Sequence, residues 1–544
     1  MTIPAHPVDI VLAGGTVVDG TGEPRYRADV AISGSTVARI GDCADLLTDP
    51  STTRVVDATG LIVAPGFIDM HAHSDLQILL NPDHIAKISQ GVTTEVLGQD
   101  GLSYAPVDDA VLAQVRRQIA GWNGNPAGFD FSWRTVAQFL DRLDQGIATN
   151  AAYLVPQGTL RLLVVGPDDR PATVDEIAGM QEILGESLRA GAVGLSSGLT
   201  YTPGMYADTG ELAALCEVVA AHGGYYCPHT RSYGAGALAA YTEMLDLARS
   251  TGCPVHLTHA TMNFAENAGR AGEFLALVDA ALADGCDISL DTYPYLPGCT
   301  TLVALLPSWA AAGGPDALLA RLADPAARER IRVDVEETGS DGCHGVVVEW
   351  DTIQISGVAN ADLADLVGST IAEIASREGR SGTDVFFDLL RRDELATTIL
   401  QHVGHEDNVR AIMQHRTHMG GSDGILVGDR PHPRAWGTFP RYLAHYSREL
   451  GLLGLEECVA HLTGRPATRL RLADRGFVRE GYAADLVLFD PTTVADTATF
   501  TEPRQPAAGI PYVLVNGVLA VDRGRPTGHR AGRALRRRDD RAVR

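Results

Sequence analysis

A chain of 544 residues is too long for one compact core and implies one large domain with one or two smaller ones. Its 45% hydrophobic and 21% charged residues describe an ordinary soluble globular protein. With 44 Lys+Arg against 68 Asp+Glu, the formal charge of −24 argues against nucleic acid or an anionic membrane as a partner.

In chain order, residues 1–60 read as short strands and tight turns, at 8–12, 16–20 and 28–32, with no helical period. This is part of a small β-domain. From 61 to 475 short apolar runs alternate with helical stretches such as 173–190 and 211–221. Strands are expected at 93–98, 151–155, 194–197, 224–227, 255–258, 287–290, 398–401 and 417–420. About eight such units predict an α/β protein with a closed (β/α)8 TIM-type barrel; an open doubly wound sheet is the alternative. A Pro/Gly-punctuated helical insertion at about 297–350 interrupts this rhythm and reads as a lid over the barrel mouth. Residues 476–530 return to strands, expected to complete a β-sandwich with the N-terminal segment. The mixed-charge tail at 531–544 is expected to be disordered.

The eight cysteines are scattered without a C-x-x-C pair, which suits reduced thiols in a cytoplasm. No signal peptide and no stretch able to cross a bilayer is expected.

The chemistry concentrates at the expected strand ends. In Gly66-Phe67-Ile68-Asp69-Met70-His71-Ala72-His73, the buried run 61–64 leads into two imidazoles that strand alternation aims to one side, a metal half-site. Further along come Asp100 in a turn before Gly101, His229 after 224–227, His259 after 255–258, Asp291 after 287–290, and Asp423 in a glycine-flanked turn after 417–420. Each alone suits an ordinary turn or a satisfied core histidine. Together they occupy the face on which barrel active sites are built and point to a metal-dependent hydrolase. Such ligands hold one or two divalent ions, which lower the pKa of water from about 15.7 toward 7 and polarise a carbonyl. Asp423, on the last strand, suits the carboxylate that carries the proton to the departing nitrogen.

With these residues in view, the chain resembles the amidohydrolase superfamily, and within it the N-acyl-D-amino acid deacylases. The resemblance rests on Gly66 to His73, Gly91-Val92-Thr93-Thr94, residues 194–203, His229-x-Arg231, Leu257-Thr258-His259 and residues 291–295. Its most specific part is Ser422-Asp423-Gly424 with residues 431–441. It implies hydrolysis of an N-acyl-D-amino acid, a small-molecule substrate, to a carboxylate and a free D-amino acid. It implies Zn2+ held tightly by Asp100, His229 and His259, a second weaker metal at His71 and His73, and Asp423 as general acid/base. Arg434 matches an arginine that grips the substrate carboxylate, and Tyr293 a tyrosine that steadies the tetrahedral intermediate. Handedness comes from this resemblance alone.

Three positions depart from that pattern. Asp100 stands where a cysteine ligand is usual, a harder donor that alters metal preference. Thr261 stands where a lysine meets the substrate carboxylate, and Cys299 replaces a serine there. Two alternatives carry their own requirements. A cyclic-amide hydrolase of the hydantoinase or dihydroorotase kind usually bridges two metals with a carbamylated lysine. The chain's only lysine, Lys87, lies before the second strand, badly placed for that task. An inactive scaffold of the same fold should lack histidines or Asp423, and none is missing.

Overall fold

The computed structural model describes residues 8–46 and 53–537. Its centre is a parallel sheet of Phe67–Asp69, Val92–Leu97, Asn150–Pro156, Gly194–Gly198, Tyr225–His229, Val255–Leu257, Ile288–Thr292 and His418–Gly420, hydrogen-bonded in chain order. The first and last strands close the barrel: Met70 N–H donates to Gly420 O at 3.2 Å, and Ala72 bridges Gly424. Ile68, Val96, Leu154, Cys227 and Met419 belong to its packed interior. Both faces of these strands are covered, so every residue in them is buried, including polar ones such as Thr93, Glu95, Ser196 and Asp291. The helices outside follow local signals. Val174–Arg189 opens on a capping box between Thr173 and Glu176 and buries Met180, Leu184 and Leu188, four residues apart, on one stripe.

A β-sandwich built from both chain ends flanks the barrel. One sheet has four strands, Ile10–Ala13, Asp29–Ser33, Thr36–Gly41 and Arg54–Asp57. In the seven-stranded sheet, Leu486–Phe489 pairs antiparallel with Ile62–Pro65. Leu12, Val30, Val63, Leu486 and Leu514 share the core between the sheets.

Four sequence expectations need correction. The run 61–64 is not the strand that presents His71 and His73. Ile62–Pro65 belongs to the sandwich, and the barrel begins at Phe67 after Gly66, where any side chain would strike Thr93. Residues 398–401 do not form a barrel strand. Thr398–Gln401 lies between Gly298–Thr301 and Ile353–Gly357 in an antiparallel three-stranded sheet. The insertion therefore extends from 298 to 401 rather than ending near 350. It has its own core of Leu305, Leu322, Ile355, Ile374, Phe386 and Ile399. Residues 531–537, expected to be disordered, pack against the barrel: Gly532 bridges Ile147, Ala534 bridges Ala151, and Arg536 pairs with Asp141 and Asp144. Residues 538–544, the rest of that expected tail, lie outside the described residues. No helix among the described residues is long and apolar enough to cross a membrane.

Candidate metal centre and active site

Every strand-end residue named from the sequence comes to the C-terminal rim of the barrel, and six converge on one point. His71 and His73 follow the first strand, Asp100 the second and His259 the sixth; His229 ends the fifth, and Asp423 follows the eighth. All six are buried. Asp100 Oδ2 lies 3.4 Å from His229 Nδ1 and 3.6 Å from His259 Nε2, and those nitrogens are 2.9 Å apart. On the other side of Asp100, His73 Nε2 lies 3.1 Å from His71 Nε2, 3.2 Å from Asp423 Oδ1 and 3.5 Å from Asp100 Oδ2. His71 Nε2 is 3.5 Å from Asp423 Oδ1.

The 3.4–3.6 Å separations around Asp100 Oδ2 fit a metal, and the facing imidazole nitrogens stand somewhat closer. Donors held at about 2.0–2.2 Å from one ion at tetrahedral angles stand roughly 3.3–3.6 Å from each other. Ring nitrogens that face one another across such gaps need a cation or shared protons between them. Asp100 Oδ1 is buried with no hydrogen-bond partner, a donor left over for an ion. Two overlapping groups result, His71–His73–Asp100–Asp423 and Asp100–His229–His259, with Asp100 common to both.

The backbone is strained where these ligands sit. Asp100 (φ 54°), His259 (φ 30°) and Asp423 (φ 48°) all lie in the left-handed region, which costs of order 1–3 kcal/mol for each non-glycine residue. Hydrogen bonds hold the turns there: His259 N–H donates to Asp291 Oδ1 at 2.9 Å and Asp423 N–H to His71 O at 2.9 Å. Next to Asp100, the chain needs Gly198, because a Cβ there would collide with the Asp100 carbonyl.

Outer contacts fix the rings. His229 Nε2 meets Thr200 Oγ1 at 2.7 Å, and His71 Nδ1 meets Thr258 Oγ1. Asp291, noted from the sequence, is not in either ligand group. It accepts from His256 and Thr258 as well as the His259 backbone, so it orients ligands from behind. Burial lowers the His71 pKa to about 4, keeping it neutral. His73 moves oppositely, to about 10: burial disfavours its charge, but the hydrogen bonds to Asp100 and Asp423 outweigh burial. Asp100 and Asp423 are held below the usual carboxylate range. Burial opposes this; the surrounding histidines overcome it at Asp100, and Arg434 followed by His71 at Asp423.

Arg434 begins the helix Arg434–Arg441 and is fully buried. One nitrogen, Nη2, reaches Asp423 Oδ2 at 2.9 Å and donates to the Cys299 carbonyl at 3.3 Å. Its Nε and Nη1 are buried without partners. The guanidinium lies 4.4 Å above the Tyr293 ring. Burial pushes the Tyr293 phenol up to about 12 and the Cys299 thiol up to about 11, so both stay protonated. A cleft of about 640 Å³ reaches the metal ligands, and Tyr293, Cys299 and Thr261 line it with residues of the inserted module.

One functional cluster is missed from the sequence. Lys87 Nζ donates to Asp69 Oδ2 (2.6 Å) and Ser422 Oγ (3.0 Å) and pairs with Glu95 (3.2 Å). Asp69 in turn accepts the backbone N–H of His71 and of Ser422. This buried knot therefore sets both the His71 turn and the Asp423 turn. The available signal is a single lysine in an arginine-rich chain.

Residues 54–521 match the Amidohydrolase family. The chain is 38% identical over 534 residues to D-aminoacylase from Alcaligenes xylosoxydans xylosoxydans, covering 98% of each. A solved D-aminoacylase, whose subject is the role of its binuclear metal centre, superposes with TM-score 0.81 at 37% identity, over 98% of this chain and 100% of that one. N-acyl-D-glutamate deacylase from Bordetella bronchiseptica, solved with zinc and a phosphonate mimic of the tetrahedral intermediate, gives TM-score 0.82 at 34% identity over the same shares. The protein described here belongs to the amidohydrolase family.

Proposed function

We propose that the protein hydrolyses the amide bond of N-acyl-D-amino acids, releasing a carboxylate and a free D-amino acid. Asp100, His229 and His259 would hold a zinc ion tightly, and His71 and His73 with the shared Asp100 a second, weaker one. A divalent ion bound there supplies Lewis acidity, making water more acidic and polarising the scissile carbonyl. Asp423 starts ionised, because Arg434 and His71 favour its charge over the burial that opposes it. It takes a proton from the attacking water and returns it to the departing nitrogen. Tyr293, protonated, is a donor for the developing oxyanion.

One observation carries this reading: a fully buried guanidinium beside the metal ligands leaves two of its nitrogens, Nε and Nη1, without partners. Buried donors are normally satisfied, so Arg434 Nε and Nη1 call for an acceptor that arrives with the substrate. An α-carboxylate can accept a charge-assisted hydrogen bond from either nitrogen; the two lie on different edges of the planar guanidinium. The cyclic-amide alternative loses its lysine, since Lys87 is committed to Asp69, Glu95 and Ser422 outside both ligand groups. Free cysteines at all eight positions support a cytoplasmic location. The test is a panel of N-acetyl-D- and N-acetyl-L-amino acids with the zinc-loaded protein. Turnover of the D series is expected, and activity confined to the L series contradicts the proposal.

A further inference from the structure

The side chains lining the cleft include two chemically distinct groups. One comprises the ligands His73, Asp100, His229 and His259 with Asp423, whose partner Arg434 lies behind the lining. The other includes four uncharged polar side chains: Thr261, Asn263, His344 and Gln401. No lysine or arginine is among the described residues lining the cleft.

His344 is the least expected of these. It is contributed by the inserted module and sits in the left-handed region at φ 59°. Three hydrogen bonds fix its backbone: His344 N–H donates to Asp341 O at 3.1 Å, while His344 O accepts from Ala235 N–H at 3.1 Å and Ser232 Oγ at 2.9 Å. Both latter partners lie on the loop that follows the ligand His229. Its ring packs against Tyr233 and Phe264, with centroids 5.6 and 5.5 Å away. Tyr233 in turn packs edge-on to His229 and His259. The His344 Nδ1 is buried and has no partner. Burial, then His229 and His259, push its pKa down to about 3, so the ring is neutral. A neutral imidazole fixed by strained backbone, with an unanswered nitrogen, is a hydrogen-bonding group prepared for a ligand.

We propose that His344, with Asn263 and Gln401, recognises the side chain of the substrate and selects N-acyl-D-amino acids bearing an uncharged hydrogen-bonding group, such as a carboxamide. This rests on the deacylase reading above and deepens it. A carboxylate side chain beside these residues would find no lysine or arginine among the described lining. An apolar side chain would leave the buried His344 nitrogen unpaired, and sites built around hydrogen bonds discriminate strongly against ligands that cannot return them.

N-acetyl-D-glutamine, N-acetyl-D-glutamate and N-acetyl-D-methionine have side chains of nearly equal length and separate the three cases. With the zinc-loaded full chain, kcat/KM is expected to be at least tenfold higher for the glutamine compound than for either of the others. His344→Phe should lower the glutamine-to-methionine ratio at least tenfold. Gln401→Leu should shift it in the same direction, which keeps the test open if His344→Phe fails to fold. A general loss of stability would depress all three substrates and leave the ratio unmoved. Preference for methionine or glutamate in the wild type, or an unchanged ratio in a folded variant, overturns the proposal while deacylation stands. Absence of turnover with all three overturns both readings.

Discussion

Two buried charge clusters lie within a few residues of each other in this barrel, and they differ in one respect. Around Lys87, every carboxylate oxygen is answered. Glu95 Oε1 accepts from Ser74 Oγ at 2.9 Å and Oε2 from His84 Nε2 at 2.6 Å, while both oxygens of Asp69 accept from Ser422. At the rim, Asp100 Oδ1 and two nitrogens of Arg434 are unanswered, and imidazole nitrogens face one another. Burying polar groups is costly unless they are paired. The first cluster has met that condition internally and serves to hold turns in place. On the function proposed above, the second would meet it with a cation and a substrate bound.

Substitutions in either cluster should have different consequences. The largest expected effect is at the rim: Asp423→Asn removes the proton carrier and should lower kcat roughly 10²–10⁴-fold in steady-state assays. Its circular dichroism should stay native. Next is Lys87→Met, which leaves Asp69 and Glu95 buried without their cation. Chemical denaturation should show a loss of about 3–5 kcal/mol. A smaller effect is expected from Arg434→Lys, which keeps the charge but loses the fork. KM should rise on the order of tenfold or more.

The smallest effect is on the acid limb of stability. Glu95 is held at about 2 against an ordinary 4.5: burial opposes ionisation, and His84 and Lys87 outweigh it. A folded-state pKa below the unfolded one contributes stability above pH 4.5, and that contribution disappears as pH falls from 4.5 to 2. It amounts to about 3 kcal/mol. Glu95→Gln should be less stable at neutral pH yet decline less steeply across that window, as read by urea unfolding at several pH values.

Much of the rim is legible in the sequence because barrel topology turns chain order into position. Each strand end delivers its next few residues to the same face, so His71, Asp100, His229, His259 and Asp423 can be placed without knowing any contact. The supporting knot is not legible in that way. Lys87 and Ser422 are 335 residues apart, and nothing local in the helical stretch around Lys87 announces a partner. Residues 398–401 mislead because a short apolar run reads alike in a parallel barrel and in an antiparallel satellite sheet. The tail misleads because its arginines dominate the composition, whereas Ala534 and Leu535 are the residues that bury. His344 escapes notice because a turn inside an insertion has no periodicity to read. Only the fold brings it to the cleft.

If the rim is a metal site, zinc content and activity rise together. Chelated protein titrated with zinc should bind at least one ion per chain, with deacylase activity appearing in step, and His259→Ala should lose both. A metal-free preparation that remains fully active, or a wild-type chain that binds no zinc at micromolar concentrations, would contradict the account.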